Sequence, residues 1–159
     1  MVKLLNILIV ILIISCNKKP ELIEVNNVKI EYRSSLIFGK TDVELEKYGD
    51  RVYYHKTDYK LDENKNVRTI ENSCDITLKE FEPLVQLIQS IDIENIIEHQ
   101  EVKFMDGSYY TLIYGDGINY KHLKIQNPES IKHNNIETGF VLDTNYIKVI
   151  SEIINFCNE

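Results

Sequence analysis

The cysteines are the residues of this chain whose positions say most about chemistry. Cys16 directly follows Ser15 at the end of an apolar run, residues 4–14, and Lys3 precedes that run. A basic start, an apolar stretch and a small residue are the parts of an export signal. At about 1.5 Å per residue, the run covers roughly half of a hydrocarbon core about 30 Å thick. The sequence therefore predicts a signal peptide at residues 1–15, whose removal makes Cys16 the first residue of the mature chain.

The tetrapeptide Ile13-Ile14-Ser15-Cys16 resembles the lipobox of bacterial lipoproteins, in which an aliphatic residue stands three places before the cysteine and a small residue precedes it. The resemblance implies that Cys16 receives a diacylglyceryl thioether and that the new amino terminus is acylated by a fatty acid such as palmitate. An ordinary secretion signal and an uncleaved anchor are the alternatives, and neither explains a cysteine at this place. The motif covers a tenth of the chain and implies a lipid anchor in the cell envelope, facing the periplasm or the exterior. It leaves the choice of inner or outer membrane open.

Assigning Cys16 to the lipid leaves Cys74 and Cys157 as a candidate disulfide pair. An exported protein meets an oxidising compartment, where such a bond persists. Cys74 lies just before the first predicted helix and Cys157 at the end of the last one, so antiparallel packing of these helices would bring them together. Two separate buried thiols are the alternative.

Tyrosine is the one enriched residue type that suggests recognition, because its ring buries a large rigid surface while its hydroxyl stays hydrogen-bonded. It is also a good strand residue, which gives the alternative of ordinary core and sheet positions. The candidate recognition face consists of Tyr53, Tyr59, Tyr109, Tyr110, Tyr114 and Tyr120.

Other patterns supply no catalytic residue, metal site or cofactor site. The four histidines lack the spacing of a zinc motif, there is no Gly-x-Ser-x-Gly elbow, and no histidine lies near Cys74 or Cys157 in sequence. Residues 62–66 begin like a calcium loop, but Val67 replaces the required glycine and Ser73 the bidentate glutamate, so we expect a polar turn.

Hydrophobic periodicity predicts an α+β fold, with an antiparallel meander sheet covered on one face by two helices. Thr77 and Glu80 form a capping-box pattern for the first helix, in which Pro83 favours a kink or a later start. The last helix begins near Asp143 or Thr144 and runs to about Cys157. The predicted strands lie at 28–32, 41–46, 51–61, 67–70, 102–105, 108–114 and 118–125, and the last three are expected to pair in order through an Asp106-Gly107 hairpin.

Composition indicates a single folded domain, residues 28–159, joined to the lipid by a polar tether at residues 16–27. A net charge of −7 without a basic cluster argues against a nucleic-acid partner. We expect a non-catalytic binding or interaction module held at the membrane through Cys16, with an envelope protein as a candidate partner. A small envelope hydrolase with a site assembled from distant residues is the alternative, as is an immunity- or inhibitor-type lipoprotein.

Overall fold

The computed structural model describes residues 23–34, 39–100, 108–126 and 143–157. Within these ranges the chain has an α+β fold, as the sequence predicts, with a six-stranded antiparallel sheet and three helices. The strands are β1 (Asn27–Ser34), β2 (Gly39–Tyr48), β3 (Arg51–Leu61), β4 (Val67–Thr77), β5 (Ser108–Gly115) and β6 (Tyr120–Gln126). The helices are α1 (Leu78–Gln89), α2 (Ile93–Gln100) and α3 (Thr144–Asn155).

The strand order across the sheet is β4-β3-β2-β1-β5-β6. Successive antiparallel pairings make β1 to β4 a meander, after which the chain passes through α1 and α2 and returns to place β5 beside β1. β6 then pairs with β5 as the other edge strand.

The sequence predicts that its last three strands pair in order. The pairing of β5 with β6 is correct, but the predicted pairing of residues 102–105 with β5 is wrong. β1 lies along all of β5, from Ser34 opposite Ser108 to Asn27 opposite Gly115, so a strand at residues 102–105 cannot occupy that side. Those residues, and the predicted Asp106-Gly107 turn, lie outside the described residues. β1 takes the place because its apolar side chains, such as Ile30 opposite Leu112, extend the core across the sheet.

Strict alternation gives the sheet an inner face and an outer face. The inner face carries the buried side chains of the strands, including Val28, Ile30, Val43, Leu45, Val52, Tyr54, Leu112, Tyr114, Leu123 and Ile125. α1 and α3 bury one side against this face, with Phe81, Leu84 and Ile88 from α1 and Tyr146, Val149, Ile150 and Ile153 from α3. The short helix α2 adds Ile96, so the predicted two-helix cover has a third member.

Local capping fixes where the helices begin. Thr77 is the N-cap of α1, and its backbone N–H and its hydroxyl both donate to the Glu80 carboxylate, at 2.9 and 2.6 Å. The hydroxyl of Thr77, with the backbone N–H second, lowers the pKa of Glu80. α1 therefore begins as predicted, and a later start at Pro83 is wrong, since the proline lies inside the helix. Asp143 caps α3 by accepting from the backbone N–H of Asn145 at 2.8 Å.

The two long helices run antiparallel, as contacts at both ends show. At one end the Asn145 side chain donates to the backbone oxygen of Ser90, which follows α1, at 3.3 Å. At the other end Cys157, just after α3, is disulfide-bonded to Cys74, close to the start of α1, with a Cα separation of 6.3 Å. The arrangement inferred from the sequence for this cysteine pair is thus the one in the structure.

No helix in the described part of the chain is long and apolar enough to cross a membrane. Cys16 and the predicted signal peptide lie outside the described residues.

Candidate binding surface on the outer face

Alternation along the strands divides the six tyrosines of the candidate recognition face between the two sides of the sheet. Four of them lie on the outer face. Tyr53 and Tyr120 belong to the same cross-strand row as Glu46, and Tyr59 and Tyr109 belong to the same row as Arg33. Tyr110 and Tyr114 have the opposite parity and lie on the inner face, where Tyr114 is only 4% exposed and Tyr110 packs against the core. The six tyrosines do not form one surface, and the candidate face reduces to four.

An ion-pair network crosses the outer face between β1 and β2. Asp42 accepts from Arg33 Nη1 at 2.7 Å and lies 2.8 Å from Lys40 Nζ. Glu31 lies 3.4 Å from Lys29 Nζ and 3.7 Å from Arg33 Nη2. Burial alone would raise the pKa of Asp42, but hydrogen bonds from Lys40 and Arg33 outweigh it and lower the pKa. This half of the face therefore neutralises its own charges.

Two tyrosines of the same half hold a lysine over their rings. Lys40 Nζ lies 4.2 Å from the ring centre of Tyr59, and Lys124 Nζ lies 4.1 Å from that of Tyr109. Both distances fall within the range of a cation–π contact. The rings of Tyr59 and Tyr109 are thus already engaged by cations of the chain itself.

The other half of the outer face contains a cleft with a volume of about 780 Å³, which we call the acidic cleft. Four cross-strand neighbours lie along it: Lys29, Glu44, Ile113 and His122. The residues around them that matter for recognition are Glu24, Glu46, Lys47, Tyr48, Asp116 and Tyr120.

Two tight turns border the acidic cleft and are fixed by local chemistry. Asp116 Oδ1 accepts from the backbone N–H groups of Ile118 and Asn119, at 2.8 and 2.7 Å, and Oδ2 accepts from the Asn119 side chain at 2.9 Å. These bonds, led by the Asn119 backbone N–H, lower the pKa of Asp116 to about 2. The turn between β2 and β3 places Gly49 at a φ of +63°, which favours glycine.

Gly115 is required where β5 enters its turn. A Cβ atom at this position would collide with the backbone oxygen of Asn119. The Gly115 backbone oxygen accepts from the N–H of Asn26 at 2.8 Å, and the Asn26 oxygen accepts from the N–H of Lys47 at 2.9 Å. These backbone hydrogen bonds connect β5, the residue before β1, and β2 at the edge of the acidic cleft.

Carboxylates outnumber lysines around the acidic cleft. No hydrogen bond or ion pair joins the carboxylate of Glu24 or Glu44 to another residue in the described ranges. Glu46 accepts from the hydroxyl of Tyr48 at 2.8 Å, and this hydrogen bond raises the pKa of Tyr48. Tyr48 is 61% exposed and Tyr120 46%. The acidic cleft therefore combines negative charge with accessible aromatic rings.

Glu44, Glu46 and Tyr48 are not among the candidate binding residues predicted from the sequence. The signal was present in β2, where Val43 and Leu45 are buried and alternate with residues that must point outward. Finding the acidic cleft would have required knowing that β1 lies between β2 and β5.

One row of side chains on this face has the residue types of a hydrolase catalytic triad. Ser73, His55 and Glu44 are cross-strand neighbours on β4, β3 and β2, the order of a nucleophile, a base and an acid. His55 Nε2, however, lies 3.2 Å from Thr57 Oγ1 on its own strand, and no hydrogen bond between Ser73 and His55 occurs in the structure. This row does not have the hydrogen-bonded geometry of a catalytic triad.

Residues 62–66 form the predicted polar turn. Asp62 Oδ1 accepts from the backbone N–H groups of Asn64 and Asn66, at 2.9 and 2.8 Å, and Lys65 has a φ of +63°. These backbone bonds, led by that of Asn66, lower the pKa of Asp62. Across the described residues, no group of three or more His, Cys, Asp or Glu side chains could hold a metal ion.

No protein-family model matches the chain, and a search of curated proteins finds no significant relative.

Proposed function

We propose that this protein is a lipid-anchored protein of the cell envelope and acts as a non-catalytic binding module through the outer face of its sheet. The anchor is supported by the Ile13-Ile14-Ser15-Cys16 motif behind an export signal. Beyond the lipid, the partner is an envelope protein or a protein that reaches the envelope.

The observation that carries the binding role is that the described part of the chain covers one face of the sheet. The described helices bury their apolar sides against the inner face, while the outer face carries charged and tyrosine side chains in fixed cross-strand rows. The sheet holds the backbone of these residues in place, so no loop has to be ordered when they contact a partner.

An inhibitor or immunity role is the specific version that the acidic cleft favours. Negative potential attracts a basic partner and speeds its association, which suits a protein that must intercept an incoming molecule.

Photo-cross-linking in cells that make the full chain tests the binding role. A benzoylphenylalanine at Tyr53 or Thr111, both on the outer face and outside the acidic cleft, is expected to capture a partner protein. The matched control positions are Gln86 on α1 and Glu152 on α3, which are exposed on the helical side. Adducts formed only from Gln86 and Glu152 would show that the outer face is not the binding surface.

A further inference from the structure

We propose that the acidic cleft binds a basic segment of a partner protein, with a lysine or arginine side chain entering beside Glu46 and Tyr48. The inference rests on the proposed binding function and specifies the chemistry of the partner. Three features of the outer face support it.

The first feature is that, among the described residues, the carboxylates on one half of the face have ion-pair partners and those on the other half do not. Asp42 and Glu31 each have cations of the chain within 4 Å, whereas the carboxylates of Glu24 and Glu44 have none in the described residues. Of the two lysines at the acidic cleft, Lys29 contacts Glu31, which belongs to the neutralised half. An excess of negative charge is thus left for a cation from outside.

The second feature is a lysine site that the chain builds for itself. Lys40 Nζ lies 2.8 Å from Asp42 Oδ2 and 4.2 Å from the ring centre of Tyr59, so one ammonium contacts a carboxylate and an aromatic ring together. Hydrogen bonding to Asp42 raises the pKa of Lys40. On this face of the sheet, a carboxylate beside a tyrosine ring therefore forms a binding site for a lysine.

The acidic cleft repeats this pair without the lysine. Glu46 and Tyr48 are neighbours on the outer face of β2 and are joined by the 2.8 Å hydrogen bond between the tyrosine hydroxyl and the carboxylate. Tyr53 packs against Tyr48 edge-on, with ring centres 5.8 Å apart, and supports its position. No cation of the described chain lies over the ring of Tyr48 or of Tyr120.

The third feature is the shape and the place of the acidic cleft. It is partly open to solvent, which suits a segment of polypeptide lying across it. Glu24 follows Cys16 by eight residues, so the cleft lies within about 28 Å of the anchoring cysteine even when the tether is extended. The partner must therefore present its basic segment close to the membrane surface. Lys18 and Lys19 of the tether are also within reach, and the test must distinguish them from a partner.

Fluorescence anisotropy on the full chain, purified from membranes in detergent, provides the test. The probe is a labelled decapeptide of alternating lysine and glycine, and a decapeptide of alternating glutamate and glycine is its control. The chain is expected to bind the lysine peptide alone, and more weakly as salt rises. Equal binding of both peptides would overturn the inference.

Matched variants locate the binding. Glu44→Gln with Glu46→Gln should weaken the lysine peptide about tenfold, because both close carboxylates are lost. Glu63→Gln with Glu71→Gln makes the same change in net charge on exposed residues outside the acidic cleft and should change affinity less than twofold. Equal losses in the two double variants would mean that net charge alone attracts the peptide, and would overturn the inference. Circular dichroism verifies that all variants remain folded.

Two further variants separate the ring and the tether. Tyr48→Phe keeps the ring and should retain more affinity than Tyr48→Leu, and equal affinities would contradict a cation–π contact. Lys18→Gln with Lys19→Gln should leave affinity unchanged, whereas a tenfold gain would show that the tether itself occupies the acidic cleft. If Tyr53 and Thr111 cross-link a partner while these peptide results fail, the proposed function stands and this inference does not.

Discussion

Lys56 Nζ, on the inner face of β3, lies 3.5 Å from the backbone oxygen of Ile154, 98 residues later in the chain. The hydroxyl of Tyr54 donates to the same oxygen at 3.3 Å. Carbonyls in the last turn of a helix lack intrahelical partners and carry partial negative charge, which a lysine can satisfy. β3 therefore caps the end of α3, and the disulfide between Cys74 and Cys157 covalently joins β4 to the same end.

Removing this cap should destabilise the protein without changing its fold. We expect Lys56→Met to lower the free energy of unfolding by about 1 kcal/mol, because the hydrogen bond to Ile154 and the contact with Asp58 are lost while the aliphatic stem is kept. Urea unfolding followed by circular dichroism measures the change. Lys60→Met, on the same face of β3 but exposed, is the control and should change the value by less than about 0.5 kcal/mol. Equal effects of the two variants would contradict the capping role.

Loss of the disulfide should have a larger effect. The bond links residues separated by 83 positions, and closing so long a loop removes much entropy from the unfolded chain. Cys74→Ser with Cys157→Ser is expected to lower the free energy of unfolding by about 2 to 5 kcal/mol. Reductant should lower the stability of the native chain to a similar value and leave the double variant unchanged. A reductant effect on the double variant would show that the reagent acts elsewhere.

The buried hydroxyl of Tyr146 should govern stability at alkaline pH. It donates towards the backbone oxygens of Tyr110 and Leu123, at 3.0 and 3.2 Å, and burial raises its pKa. Burial likewise raises the pKa of Tyr54 to about 12. Because the unfolded chain releases these protons near the ordinary value of 10.0, stability should be complete below pH 10 and fall as the pH rises above it.

Tyr146→Phe separates the hydrogen bond from the titration. The variant should lose about 1 kcal/mol at pH 7, since the hydroxyl is removed and the ring is kept. It should also show a smaller decrease in melting temperature between pH 9 and pH 11 than the native chain. An identical alkaline profile in the two proteins would rule out Tyr146 as a source of the pH dependence.

The proposed lipid anchor predicts that a substitution at Cys16 changes where the protein is found. Cys16→Ser should abolish incorporation of labelled fatty acid and release the protein from the membrane fraction, because the thiol is the site of lipid attachment in the lipobox interpretation. Cys74→Ser retains Cys16 and should leave lipid labelling in place. Unchanged labelling and fractionation of Cys16→Ser would disprove the lipoprotein assignment.

Local patterns predicted the elements whose signals lie within a few residues. The Arg51–Leu61 strand has its predicted bounds, Thr77 caps its helix as expected, and the last helix begins at Thr144, within the predicted start. β4 is longer than predicted, Val67–Thr77 in place of 67–70. Apart from the half-buried Cys74 and the buried Ile76, its remaining residues are polar and exposed, and they are held in the strand by pairing with β3, a partner that hydrophobic alternation does not reveal.

The α+β class, the alternation that separates Tyr53 and Tyr59 from Tyr54, and the Thr77 cap follow from the sequence alone, because each depends on neighbours along the chain. The position of β1 between β2 and β5, and with it the acidic cleft, is set by the tertiary fold. Contacts such as Lys29 with Glu44 and Ile113 join segments far apart in sequence. Their formation depends on how the whole sheet buries its inner face, and no short stretch of sequence encodes that choice.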